Sequence, residues 1–178
     1  LAHPAWSLLT HYDVMNLKGN VGFEVWNTVS DTKTNRGDST IYVDLIAKEK
    51  KYPLIFAADD THFYDTDLFG GYIMVNSESL SKDDILKNIL KGNFYCSQGP
   101  EIKQIIIEDN EVFVWTSPVE SIMFMTDTFY CHDRVAHGNG KLIEEARYKI
   151  RETDTYVRIE CKDKNNKRAW SQIISLIY

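Results

Sequence analysis

The chain has 178 residues, 43% of them hydrophobic and 26% charged, the balance of a globular protein with apolar material for one large core or two small ones. A formal net charge of −6 excludes a protein that grips nucleic acid through a broad basic surface, and an anionic substrate would need a metal or a few placed cations. No apolar run reaches the roughly 20 residues that span a bilayer, and the first residues carry no signal pattern, so the sequence predicts no membrane partner.

Three well-separated cysteines, Cys96, Cys131 and Cys161, fit reduced thiols in a cytoplasmic protein better than a disulfide framework. All three stand in apolar, strand-like contexts and read as small buried hydrophobes. The opening Leu1-Ala2-His3-Pro4 begins as if inside an element, so the sequence reads as the later part of a longer polypeptide.

In chain order, Leu1 to His3 reads as the end of a strand stopped by Pro4, whose missing N–H cannot continue a ladder. Ser7 is placed to cap a helix running to about Leu17, which leaves His11 facing solvent. Val21 to Trp26 reads as a strand, and Asn27 opens a polar loop through Gly37. Asp38 or Ser39 can cap a helix carrying Ile41, Leu45 and Ile46, which ends in the basic turn Lys48 to Lys51 as the helix dipole prefers.

The next stretch, Leu54 to Asp65, is the chemical centre of the sequence. An apolar strand, Leu54 to Ala57, stops at Asp59-Asp60-Thr61-His62, and in parallel α/β sheets ligands bind where strand carboxyl ends open into loops. If the extended backbone persists, Asp60 and His62 leave on one face. A carboxylate and a neutral imidazole converging on one point suit zinc, manganese or iron better than calcium. The competing reading, of equal weight on spacing alone, has Asp59 and Asp60 capping a following helix while His62 is an ordinary loop residue.

Tyr72 to Val75 is the next apolar segment. Ser81 and Asp84 then open a helix whose Ile85, Ile89 and Leu90 form a buried stripe, ended by Gly92. Strand and helix alternating in this way predicts a parallel sheet covered by helices. Beyond Phe94 only strands follow: Lys103 to Ile107 and Glu111 to Trp115 around an Asp109-Asn110 hairpin turn, then Val119 to Met125, Thr128 to Arg134, Ala146 to Ile150, Tyr156 to Cys161 and Ala169 to Ile177. Short strands at this spacing predict an antiparallel sandwich, with Trp115 and Trp170 in its core. Ser97 to Pro100 reads as the bend between the two parts. The predicted domains are residues 1–96 and 97–178.

Ala2-His3-Pro4, Gly22-Phe23-Glu24-Val25-Trp26-Asn27 and Ala58-Asp59-Asp60-Thr61-His62, in this order and spacing, resemble the later motifs of the PHP superfamily, named for polymerase and histidinol phosphatase. Gly71 to Val75, Phe94 to Pro100 and Ala169-Trp170-Ser171 resemble the two-domain members that append a β-sandwich. The resemblance implies α/β plus all-β architecture, with part of a distorted β/α barrel preceding the sandwich. It also implies metal-dependent hydrolysis of a small phosphorylated substrate by metal-activated water. His3, Asp60 and His62 would be metal ligands, and Asp60 and His62 catalytic, His62 or a neighbour serving as general acid to the leaving alkoxide. Asn27 would line the pocket better than Glu24.

The early His-x-His pair and bridging glutamate of that family are absent, so this chain would supply only one or two ligands per ion and catalyse little alone. Phe63 and Tyr64 would either stack on a substrate or pack over the barrel mouth. His132 and His137 fall in the sandwich, away from the site. A second class of function stays open: a β-sandwich module that recognises a carbohydrate or a protein, carrying a residual metal motif.

Overall fold

A computed structural model describes residues 1–64 and 67–177; Asp65, where the acidic stretch ends, lies outside the described residues, as do Thr66 and Tyr178. The chain divides into two compact units, Leu1–Cys96 and Ser97–Tyr178.

The first unit holds α1 (His11–Asn16), β1 (Gly22–Asn27), α2 (Thr28–Thr34), α3 (Thr40–Lys48), β2 (Leu54–Ala58), β3 (Tyr72–Val75), α4 (Lys82–Leu90) and β4 (Phe94–Ser97). β1 and β2 pair in parallel, and β3 pairs with β4. The core of this unit comes from Phe23 and Val25 of β1, Ile55 and Ala57 of β2, and Val43, Ile46 and Ala47 of α3, all buried. Each fully buried Val or Ile contributes about 1.5–3 kcal/mol relative to exposure. The alternation Ile55 in, Phe56 half-buried, Ala57 in shows that β2 has one buried face rather than two.

Three local expectations need correction. α1 starts later than Ser7 allows, because Thr10 and Asp13 form a reciprocal capping box that satisfies two backbone donors at once. The segment after Asn27 is no loop but α2, since Asn27 itself accepts the Ser30 N–H at 2.8 Å as its cap. α4 buries no residue, and Leu90 is 66% exposed; its Ser81 cap holds, but the Asp84 carboxylate turns to Ser77 and Ser79 instead of closing a box.

The second unit is built from antiparallel sheets, an arrangement consistent with a β-sandwich. β5 (Ile102–Glu108), β6 (Glu111–Val119) and β9 (Ile143–Lys149) form one sheet in the order β5-β6-β9. β7 (Ser121–Met125), β8 (Val135–His137), β10 (Tyr156–Lys162) and β11 (Arg168–Ser171) form the other in the order β11-β10-β7-β8, and β12 (Ile174–Ser175) also pairs with β10. Stacked Phe124 and Tyr148 rings, 5.4 Å apart, join the two layers. On β10 the fully buried Arg158 bonds Glu160 at 3.0 Å, and Arg168 reaches the other Glu160 oxygen at 3.2 Å. Such a pair is retained only when its remaining polar atoms are answered.

Three further corrections belong here. Thr128 to Arg134 is a loop rather than a strand, tied down by the Arg134 guanidinium, which donates to the carbonyls of Phe124, Thr126 and Phe129. Cys131 lies in that loop and is half-buried, unlike Cys96 and Cys161. Trp170 is core at 0% exposure, but Trp115 is half-buried, on the face of β6 opposite Val112, Val114 and Thr116. No described helix is long and apolar enough to cross a membrane.

Candidate functional site

The carboxyl ends of β1 and β2 bring the motif residues together. Glu24 and Asn27 are three apart, so on a regular strand their side chains would leave on opposite faces. A bulge between Glu24 and Trp26 in the β1–β2 register adds one residue and restores a common side. Their contact is the result: the Asn27 amide donates to Glu24 Oε2 at 2.9 Å and to Asp60 Oδ2 at 3.3 Å. A side-chain amide has two N–H donors, and here each meets a different carboxylate.

His3 joins from a separate segment. Leu1 runs beside β1, its nitrogen donating to the Gly22 carbonyl and its carbonyl accepting from Glu24. That registers the His3 backbone N–H against Glu24 Oε2 at 2.8 Å. The imidazole Nδ1 lies 3.1 Å from Ser7 Oγ, and the ring meets Trp6 edge-on at 4.8 Å. Ser7, expected to cap a helix, instead positions this ring. Glu24, expected to line the pocket less well than Asn27, is the hinge of the cluster.

The two aspartates that end β2 have separate tasks. Asp60 takes a left-handed backbone, φ +59°, so the chain does not continue extended and the simple same-face argument for Asp60 and His62 fails. Instead the chain folds back, and His62 Nδ1 sits 2.6 Å from the Asp60 carbonyl. A carbonyl only accepts, so Nδ1 carries the hydrogen and the neutral ring keeps its lone pair on Nε2, the tautomer a metal ligand uses. His62 and Asp60 are both exposed.

Asp59 faces the other way. Its carboxylate accepts the backbone N–H groups of Phe69, Gly70 and Gly71 at 2.7–2.8 Å and the Thr28 hydroxyl at 3.2 Å. Among the described residues no helix follows directly for it to cap. A Cβ on Gly70 would stand 2.3 Å from Thr28 Cγ2, and one on Gly71 2.7 Å from Trp26 Cδ1, so glycine at both positions lets the backbone reach Asp59. The buried Asp67 carboxylate closes the inner side of the same loop on the N–H groups of His62 and Phe63. Phe63, Tyr64 and Phe69 are 62%, 86% and 78% exposed, so within this unit they are not packed down over the strand ends.

The donor chemistry here, imidazole nitrogen and carboxylate oxygen, is that of zinc, manganese and iron sites. Among the described residues, however, no group of three or more His, Cys, Asp or Glu side chains is placed to hold a metal ion. His3 is linked to Asp60 through Glu24 and Asn27 and the His62 ring bonds the Asp60 carbonyl, without the three converging on one point. Glu24 was the component hardest to foresee, since only the bulge turns it to the same side as Asn27. No family model, no curated protein and no solved structure matches this chain.

Proposed function

We propose that the first unit is the carboxyl-terminal share of a PHP-type barrel and that the protein acts in metal-dependent hydrolysis of phosphoesters. The observation that carries this reading is the hydrogen-bonded path from the His3 backbone through Glu24 and Asn27 to Asp60, which draws together three motifs that are far apart in the chain. His3, Asp60 and His62 would be metal ligands, with zinc, manganese or iron as the ion, and the centre would be completed by donors that the described residues do not provide. When bound, such ions lower the pKa of water and stabilise phosphoryl charge. This chain's own contributions are to fix the imidazole tautomer of His62, to hold Asp60 against Asn27, and to anchor the loop through Asp59. Three free thiols fit a reducing, cytoplasmic setting.

Metal titration followed by turnover of small phosphoesters tests the reading. The chain alone should turn over little. In a polypeptide that also carries the early histidine motifs, Asp60→Ala should lower kcat by on the order of a hundredfold, His62→Ala should act similarly, and His132→Ala should change nothing. Unaltered turnover in the Asp60 variant at equal metal content would sink the enzymatic reading.

A further inference from the structure

At the end of the first unit where β1 and β2 begin, away from Asp60, the ends of α1 and α3 leave a cavity of about 330 Å³. Val14, Phe23 and Ile46, all buried, line it together with Leu17 and Val21. Its frame is fastened from two sides. The Tyr42 hydroxyl of α3 donates to the Leu9 carbonyl ahead of α1 at 2.8 Å, and the Leu54 N–H donates to the Val21 carbonyl at 3.1 Å. A concave apolar space held open in this way is of the kind that encloses a small molecule.

The way the chain leaves α3 puts one charge on this apolar wall. Lys50 takes a left-handed backbone, φ +57°. Its N–H donates to the Ala47 carbonyl at 2.8 Å, and the Lys51 N–H reaches back to the Ile46 carbonyl at 3.4 Å. In a helix ending with that pair of bonds, the residue at the Lys51 position frequently makes an apolar contact with the one at the Ile46 position. Here both line the cavity, but lysine holds the place an apolar residue would fill. Its stem can follow the apolar wall while the ammonium stands at the opening.

Charge sets the sign of the occupant. The chain as a whole has 26 acidic against 20 basic residues, yet the two segments that frame the opening, 17–21 and 48–53, hold Lys18, Lys48, Lys50 and Lys51 against one acid, Glu49. Lys48 answers the dipole of α3, but Lys51 lies beyond the helix. The Asn20 amide is spent on the Gly22 carbonyl at 3.3 Å, and the Asp13 carboxylate of α1 is committed to Thr10.

A molecule that meets both demands has an apolar body for the cavity to take from water and a single negative charge for Lys51 to answer. A neutral apolar ligand leaves the ammonium unused, and a cation is repelled by the lysines. We infer that the cavity between the ends of α1 and α3 is a binding site for a medium-chain carboxylate, its alkyl chain against Val14, Leu17, Val21 and Phe23 and its carboxylate paired with Lys51.

The test titrates the whole chain with octanoate, octan-1-ol and octylammonium by calorimetry, with thermal unfolding as a second readout. Octanoate should bind with a Kd below about 1 mM and raise Tm as its concentration passes Kd. The alcohol and the amine should bind at least about tenfold more weakly. Lys51→Met keeps an unbranched stem without the charge, so it should weaken octanoate about tenfold and leave octan-1-ol unchanged. Val21→Glu, at an exposed position, sets a carboxylate in the wall and should abolish octanoate binding, which keeps the test decisive if one variant fails to fold. Lys82→Met, on α4, should bind as wild type. No octanoate binding up to roughly 5 mM, equal binding of octanoate and octan-1-ol, or an unaltered affinity in Lys51→Met overturns the proposal. So does concentration-dependent dimerisation abolished by Val21→Glu, which would assign the cavity to a second copy of the chain.

Discussion

Asn27 combines three bonds in one buried side chain: its carbonyl oxygen caps α2, and its amide ties Glu24 to Asp60. Asn27→Ala should therefore cost about 2–3 kcal/mol, as the cap is lost and two carboxylates lose a donor, read as a lower urea midpoint. Asn27→Asp separates the parts. Aspartate still caps, but it sets a third negative charge against the other two, so its deficit should exceed that of Asn27→Ser, which caps without charge. Equal deficits in the two variants would refute the electrostatic account. The thiols are distinguishable in the same way. Burial pushes Cys161 up to about 12 and raises Cys96 as well, whereas Cys131 is half-buried in a loop. Iodoacetamide at pH 8 should label one thiol in the native chain and all three after unfolding, with Cys131→Ser removing the native reaction.

At the scale of elements, what the sequence made legible was what local chemistry decides. The Asp109-Asn110 turn is an example: both residues have positive φ, 48° and 63°, as the tight turns that match strand twist require. Asn110→Val should destabilise by about 1–2 kcal/mol in thermal or urea unfolding, while Asn110→Gly should be neutral or mildly stabilising. The strand-only pattern after Phe94 was legible for the same reason, since period-two alternation is local. The errors came where one side chain outvoted the pattern. Asn27 turned an expected loop into a helix, Thr10 moved a helix start, and Arg134 held an apolar-looking segment as a loop through three carbonyls. Glu24 could not be placed because the bulge beside it depends on pairing with a distant strand.

For the molecule as a whole, composition set the core size and the turn from mixed to β-only pattern set the architecture, but the burial of individual rings depends on which sheet face is covered. Trp170 and Trp115 sit in similar local sequences and differ only in that. One whole-unit property follows from Tyr148, which is 1% exposed and donates to Asp154 Oδ2 at 2.7 Å. Burial first, then the Asp154 bond and charge, hold its phenol well above the ordinary value. A phenol with a raised folded pKa contributes stability that is complete below about pH 10 and is lost as pH rises through the folded value. The second unit should thus lose stability above about pH 10, and Tyr148→Phe should remove that alkaline phase. A chain beginning at Ser97 should also unfold cooperatively by circular dichroism.

Asp59 has one last consequence. It grips Gly71, 12 residues further on, so both ends of the intervening loop are fastened to a single carboxylate on the rigid strand end. Loop closure entropy grows only slowly with length, and a closed base shields what lies beneath it. The exposed Phe63, Tyr64 and Leu68 side chains are therefore exchangeable: replacements there can re-tailor what the loop touches while Asp67, Asp60 and Asn27 keep their places. The same economy makes Asp59 the residue for which no such exchange is tolerated.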